Sequence, residues 1–329
     1  MSEAALTVAV TGPTGTFGFG LLPLLETEAR VRHVVGIARR PFDPAARGWT
    51  KLEYRRGDVR DRAALEDAFA GADVVVHLAF MITGTAPRAT IRAINVEGTL
   101  NAFRAAAAAG ARRFVYASSV AAYGFHPENP QPLTEAWPVR PASHLFYAQE
   151  KAEIERELTM EASRRPELGL YLLRPPIVLG PHAIGAKDLL PGPLAPLARG
   201  VGALLRRSPV PLPVAVPELP VQFVDEDDVG QALLLSVLGA GPPGAYNLAG
   251  EGVLTAHDVA RELGLAPLPA PRRVVQAGAR AVAGLPFAPP FAEWAEAISR
   301  PAIMDAGKAR RELGWNPRYS GLEALRRTL

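Results

Sequence analysis

Three glycines near the N-terminus constrain the fold more than any other feature. Gly12, Gly15 and Gly18 stand three apart, after the apolar run Leu6–Thr11 and at the head of a helix-like stretch, Gly18–Glu28. A strand that turns through glycines straight into a helix brings backbone N–H groups, and the positive end of the helix, against a phosphate. The spacing departs from the commoner Gly-x-Gly-x-x-Gly, so its weight comes from its place between strand and helix. It reads as a loop for a dinucleotide pyrophosphate; the alternative is an ordinary strand–helix turn.

The first half of the chain repeats this alternation. Strand-like runs at His33–Ala38, Val74–Ala79, Arg113–Ser118 and Leu170–Arg174 are interleaved with helix-like stretches at Asp61–Phe69, Arg88–Ala109 and Phe146–Arg164. Such alternation predicts an α/β fold, a doubly wound parallel sheet of the Rossmann type. The strands are apolar almost throughout, as suits a sheet covered on both faces. After Arg174 the chain becomes rich in Pro and Gly over 175–220 and 265–291, while Val221–Leu238 and Tyr246–Ala249 read as a return to the main layer. Asp305–Leu313 predicts a short helix ended by Gly314. The expected division is residues 1–175 plus 221–250 as the dinucleotide-binding domain, and 176–220 plus 251–329 as a smaller, discontinuous C-terminal substrate lobe. Phe287, Phe291, Trp294, Leu204 and Leu205 make that lobe apolar, which suits a hydrophobic or aromatic substrate or, equally, a core.

Composition narrows the chemistry. A net charge of +3 over 329 residues, with arginines and acids interspersed, argues against nucleic-acid binding. Cysteine is absent, which excludes disulfides, thiolate catalysis and thiolate metal sites; no metal is expected. No basic segment precedes Leu6–Val10, and no apolar run reaches the roughly 18 residues of a spanning helix. The expectation is a cytoplasmic enzyme acting on a small molecule, away from membranes.

Lysines number only four, Lys51, Lys151, Lys187 and Lys308. One of them lies four residues after a tyrosine, in Tyr147-Ala148-Gln149-Glu150-Lys151. On a helix the two side chains share a face. A phenol titrates near 10 in isolation, and a neighbouring ammonium favours its ionised form, so such a pair can exchange a proton with a substrate hydroxyl. Upstream, Ser118 and Ser119 end a strand at the carboxyl edge of the predicted sheet, where ligands bind in folds of this kind. Either hydroxyl can orient a substrate oxygen; the other reading is backbone capping.

Two further positions bear on the cofactor. About twenty residues after the glycine loop, NAD sites place an acid on the ribose 2′-hydroxyl; here the strand ends Gly36-Ile37-Ala38-Arg39-Arg40. A guanidinium pairs with phosphate, so Arg39 points to NADP in preference to NAD, with a solvated surface arginine as the alternative. Asp58, beside Val59, is placed to accept from the adenine amino group, and Asp61 to cap the following helix. His77 precedes Leu78 and Ala79 near the dinucleotide and is assigned no chemistry.

The joint pattern resembles the extended short-chain dehydrogenase/reductases, the superfamily of NAD-dependent epimerases and dehydratases. The resemblance rests on Thr11–Gly18, Asp58, His77–Ala79, Asn95–Thr99, Tyr116–Gly124, Tyr147 with Lys151, and Arg174–Pro181. It continues through Phe223–Val229 and Leu313–Pro317, nearly the whole chain. It implies a Ser-Tyr-Lys triad and selects Ser119, four positions before Tyr123. It also implies that Thr16 and Phe17 line the pyrophosphate, that Pro176 and Ile177 lie near the nicotinamide, and that two copies dimerise through helices near 88–109 and 146–164.

Departures from the pattern shape the functional expectation. Ile177 and Leu179 stand where sugar-nucleotide members carry Asn and Tyr, and the acid after the second strand is missing. The leading expectation is an NAD(P)-dependent oxidoreductase acting on a carbonyl or alcohol. The alternatives are a nucleotide-sugar epimerase with a transient keto intermediate and a non-enzymatic cofactor sensor, the latter opposed by retention of Ser119, Tyr147 and Lys151. Dehydration is disfavoured because Val120 and Ala121, not an acidic pair, follow Ser119. Arg300 reads as a surface arginine, with an anion clamp as the alternative.

Overall fold

The structure is a computed structural model that describes residues 5–82, 86–143, 145–183, 211–271 and 300–329. Along the first half run β1 (Leu6–Thr11), α1 (Thr16–Thr27), β2 (Val31–Ala38), β3 (Leu52–Arg56), α2 (Arg62–Phe69), β4 (Val74–His77), α3 (Arg88–Arg92), α4 (Gly98–Ala108), β5 (Arg113–Ala117), α5 (Phe146–Ser163) and β6 (Gly169–Arg174). There follow β7 (Ile177–Leu179), β8 (Leu212–Val216), β9 (Pro220–Val221), β10 (Phe223–Asp225), α6 (Glu226–Leu238), β11 (Gly244–Asn247), β12 (Leu254–Thr255), α7 (Ala256–Glu262), β13 (Leu265–Pro269) and α8 (Gly321–Thr328).

Seven of these strands form one sheet in the order β11-β6-β5-β4-β1-β2-β3. Each neighbouring pair is parallel. The doubly wound sheet anticipated from the alternation is therefore present. Side chains alternate across it, as strand geometry requires. Val8, Val10, Val74 and Val76 pack on one face with Leu21, Leu25, Val229 and Leu233 of α1 and α6. Ala9, Val75, Phe114 and Tyr116 pack on the other with Leu65, Phe69, Phe103, Ile154 and Leu158 of α2, α4 and α5. Two layers of helix over an apolar sheet explain why all of β1 is buried.

Helices α1 and α6 touch backbone to backbone. A Cβ on Gly20 would lie 2.2 Å from the Glu226 carbonyl oxygen, and one on Gly230 2.2 Å from that of Gly20. The long helix expected over Arg88–Ala109 is instead interrupted by a π-helical turn at Ala93–Glu97, a feature that hydrophobic periodicity does not reveal. Asp61 caps α2 as expected, accepting from the Ala64 N–H. Gly314 ends the short C-terminal helix in the left-handed region, φ +69°. Ala306, Ala309, Leu313 and Trp315 of that segment join the core of the main sheet. Phe287, Phe291, Trp294, Leu204, Leu205 and Lys187 lie outside the described residues.

Candidate active site

The carboxyl ends of β1, β4 and β5 converge. At β1, Gly12 adopts φ +66°, and a Cβ there would stand 2.8 Å from the Ala79 backbone. Gly18 allows no side chain either, since a Cβ would lie 2.0 Å from the Pro13 carbonyl oxygen. The loop is pinned to the end of β4, where Leu78 N–H donates to Thr11 O at 3.1 Å and Ala79 N–H donates to Thr11 Oγ1 at 3.3 Å. Gly15 caps α1 without a side chain, so no side-chain oxygen of its own covers the first turn of that helix. A glycine cradle closed against a neighbouring strand, opening on a helix whose N-cap is itself a glycine, fits the pyrophosphate of a dinucleotide.

Other sequence-predicted cofactor residues rim the same edge. Thr16 donates from Oγ1 to the His182 carbonyl at 3.1 Å, and Phe17 is partly buried against the core. Arg39 is exposed just beyond β2. Asp58 is ion-paired with Arg60 at 2.7 Å; that hydrogen bond, helped by the charge of Arg39, holds its carboxyl below the usual range. Val59 is buried, as is Pro176, whereas Ile177 is 47% exposed. His77 is enclosed in the core between Thr11 Oγ1 at 2.8 Å and Thr99 Oγ1 at 3.0 Å. Burial pushes its imidazole down to about 3, so it stays neutral.

The three catalytic candidates come together above this edge. Ser119 ends the extended segment after β5, and its Oγ accepts from Ala121 N–H at 3.2 Å, capping the short helical turn Val120–Tyr123. The same hydroxyl hydrogen-bonds the Tyr147 phenol from across the site. Ser118 points elsewhere, donating to the buried Glu155 carboxylate. The structure thus separates two serines that residue chemistry alone leaves equivalent.

Lys151 lies one turn after Tyr147 on α5 and is 3% exposed. Its Nζ donates to Ala117 O at 2.7 Å and to the Tyr116 hydroxyl at 3.1 Å, and sits 3.8 Å from the centre of the Phe80 ring. Burial pulls the ammonium down to about 7, opposed by the carboxylates of Glu155 and Glu150. Tyr147 is half-buried, and burial pushes its phenol up to about 12, with the Ser119 hydrogen bond acting the other way. The lowering expected from Lys151 is not found: burial, which disfavours the phenolate, dominates, and Ser119 is what acts against it. Tyr147 is therefore protonated at neutral pH.

Phe80, Tyr116 and Glu155 complete the site, and sequence reasoning missed all three. Phe80 meets Tyr147 edge to face at 5.5 Å and covers Lys151. The aromatic residue directly after Leu78-Ala79 was the available signal.

The profile of the NAD dependent epimerase/dehydratase family matches residues 8–249. An uncharacterized protein of Mycobacterium tuberculosis is 27% identical over 97% of this chain and 82% of its own length. Sterol demethylase protein B of Methylococcus capsulatus is 34% identical, over 54% of this chain and 52% of its own. Among solved structures, MoeE5 in complex with UDP-glucuronic acid and NAD superposes with a TM-score of 0.70 at 25% identity, covering 98% of this chain and 97% of that one. UDP-glucose 4-epimerase of Thermotoga maritima, with UDP-glucose, superposes with a TM-score of 0.73 at 20% identity over 98% and 97%, a likeness of fold.

Proposed function

The chain belongs to the NAD-dependent epimerase/dehydratase family, and on that premise we propose that it is an NAD(P)-dependent oxidoreductase moving hydride between nicotinamide and a carbonyl or alcohol substrate. One observation carries the reading: the Ser119 hydroxyl meets the Tyr147 phenol, with Lys151 buried one turn further along α5, beside the glycine cradle. The bound dinucleotide supplies the hydride. Ser119 donates to the substrate oxygen and orients it. Tyr147, protonated at neutral pH, gives its proton to that oxygen as the carbonyl carbon is reduced, so the reductive direction suits this site. Lys151, as an ammonium one turn along α5, favours the phenolate left behind as the proton moves.

Gly12, Gly15, Thr16, Phe17 and Gly18 hold the pyrophosphate in this reading, with Asp58 and Val59 towards the adenine. Leu78, Ala79, Pro176 and Ile177 lie towards the nicotinamide. Arg39 supports NADP over NAD: it is exposed just beyond β2, and Asp58, the carboxylate after β3 that feels its charge, is already paired with Arg60. Ile177, exposed where sugar-nucleotide members of the family carry Asn, supports an apolar substrate. The relationship to a protein named for sterol demethylation points the same way. Residues 176–220 plus 251–329 are the expected substrate lobe, except that Ala306, Ala309, Leu313 and Trp315 pack with the main sheet, and a cytoplasmic homodimer packed through α4 and α5 is the expected assembly.

A second reading is an epimerase that retains its NAD. The likeness to MoeE5 with its UDP-sugar favours it, as does Arg300, which reaches the active-site segment by donating to Phe125 O at 3.2 Å. Mass spectrometry of the dinucleotide released from denatured, freshly purified protein separates the two. An empty site that then binds NADP more tightly than NAD supports the oxidoreductase; stoichiometric NAD overturns it.

A further inference from the structure

Behind the triad lies a chain of buried polar groups that the proposed chemistry does not use. Arg174, at the end of β6, spans both oxygens of Glu155, donating from Nε at 2.9 Å and from Nη2 to the other oxygen. Its third contact is donation from Nη1 to the Tyr123 hydroxyl at 2.7 Å. Tyr123 in turn donates to Asn247 Oδ1 at 2.8 Å. Ser118 donates to the Glu155 oxygen already held by Nε. The two charged side chains are 6% and 3% exposed.

We propose that the Glu155–Arg174 pair is a positioning element of the active site, fixing the chain on both sides of Ser119 and setting a carboxylate one helical turn beyond Lys151. The inference rests on the assignment of Ser119, Tyr147 and Lys151 as the triad. Ser119 stands between Ser118, tied to Glu155, and the turn Val120–Tyr123, tied through its last residue to Arg174. Both anchors must hold for the Ser119 hydroxyl to face Tyr147. Stability alone does not account for the pair, because a well-packed apolar pair of similar volume is commonly as stable as a buried ion pair.

The charges facing Lys151 add a second role for Glu155. From α5 come Glu155, Glu150 and Tyr147; from β5 comes Tyr116; from β4 comes His77. Burial keeps both tyrosines protonated and His77 neutral. Among the described residues the carboxylates of Glu155 and Glu150 are what favour the ammonium, and Glu150 is turned towards Asn95 Nδ2 at 2.7 Å.

The test compares Glu155→Gln, Glu155→Asp and Ser118→Ala with the wild type. Only four lysines occur in the chain, so side-chain NMR of lysine-labelled protein resolves the titration of Lys151, identified by its loss in Lys151→Met. Glu155→Gln is expected to lower the Lys151 midpoint by about half a pH unit or more. Glu155→Asp should restore it, and Ser118→Ala should leave it in place. Hydride transfer from NADPH should fall about tenfold or more in Glu155→Gln and Ser118→Ala, with the NADPH Kd held within about threefold. If Glu155→Gln does not fold, the charge-free double variant Glu155→Leu with Arg174→Met takes its place. A folded variant with wild-type transfer rate and an unmoved midpoint overturns the proposal. Wild-type protein that transfers no hydride overturns the assigned reaction instead, and the Lys151 midpoint then decides the positioning role alone.

Discussion

Replacing Lys151 with Met should change how stability depends on pH. The ammonium is buried and titrates at about 7 in the folded protein, against about 10.4 in an unfolded chain. The folded value is the lower, so the unfolded state binds more protons between those limits. Wild-type stability must therefore rise with pH through that window, and the full penalty of burying the charge applies below it. Between about pH 6.5 and about pH 9 the relieved penalty is about 2.5 kcal/mol. A methionine of similar length carries no such term. Its loss of the hydrogen bonds to Ala117 O and the Tyr116 hydroxyl shifts stability by a constant amount. Urea unfolding followed by circular dichroism at the two pH values gives the comparison. The stability of wild type minus variant should increase by about 2.5 kcal/mol on going to the higher pH. A difference that stays constant within about 0.5 kcal/mol refutes the placement of a desolvated ammonium at this position.

Other expectations follow from the same geometry. Tyr147→Phe keeps the ring against Phe80 but removes the proton donor, so hydride transfer should fall by about 10²–10⁴ while the NADPH Kd moves less than about threefold; stopped-flow absorbance and fluorescence titration measure the two. Gly12→Ala forces a side chain into the left-handed region and against the Ala79 backbone at 2.8 Å. It should cost at least about 1–2 kcal/mol of stability in thermal unfolding and weaken dinucleotide binding. Arg39→Ala should weaken NADP about tenfold and leave NAD unchanged in paired titrations; equal effects on both would remove the 2′-phosphate role.

What was legible in the sequence was local. The glycine loop, the alternation of β1 to α5 and the Tyr147–Lys151 spacing all lie within a few residues, where periodicity and helix geometry suffice. Features made by distant segments were not legible. Arg174 and Glu155 are 19 residues apart on different elements, and neither position marks the other. Thr16 meets His182 across 166 residues. The preference for Ser119 over Ser118 came from a resemblance, and the bond that ties Ser118 to Glu155 needed the tertiary structure. The π-turn at Ala93–Glu97 changes hydrogen bonding without changing the apolar pattern that predicts a continuous helix. Helix α8 was missed although Ser320 and Glu323 form a capping box that sequence could have shown.

Transfer of deuterium from NADPH deuterated at the nicotinamide C4 tests the central claim most directly. With a panel of apolar ketones and aldehydes, the account predicts label on the product carbinol carbon, with stoichiometric oxidation of the dinucleotide, and loss of both in Tyr147→Phe. Label transfer that survives in Tyr147→Phe, or turnover of a substrate with no net consumption of the dinucleotide, would contradict it.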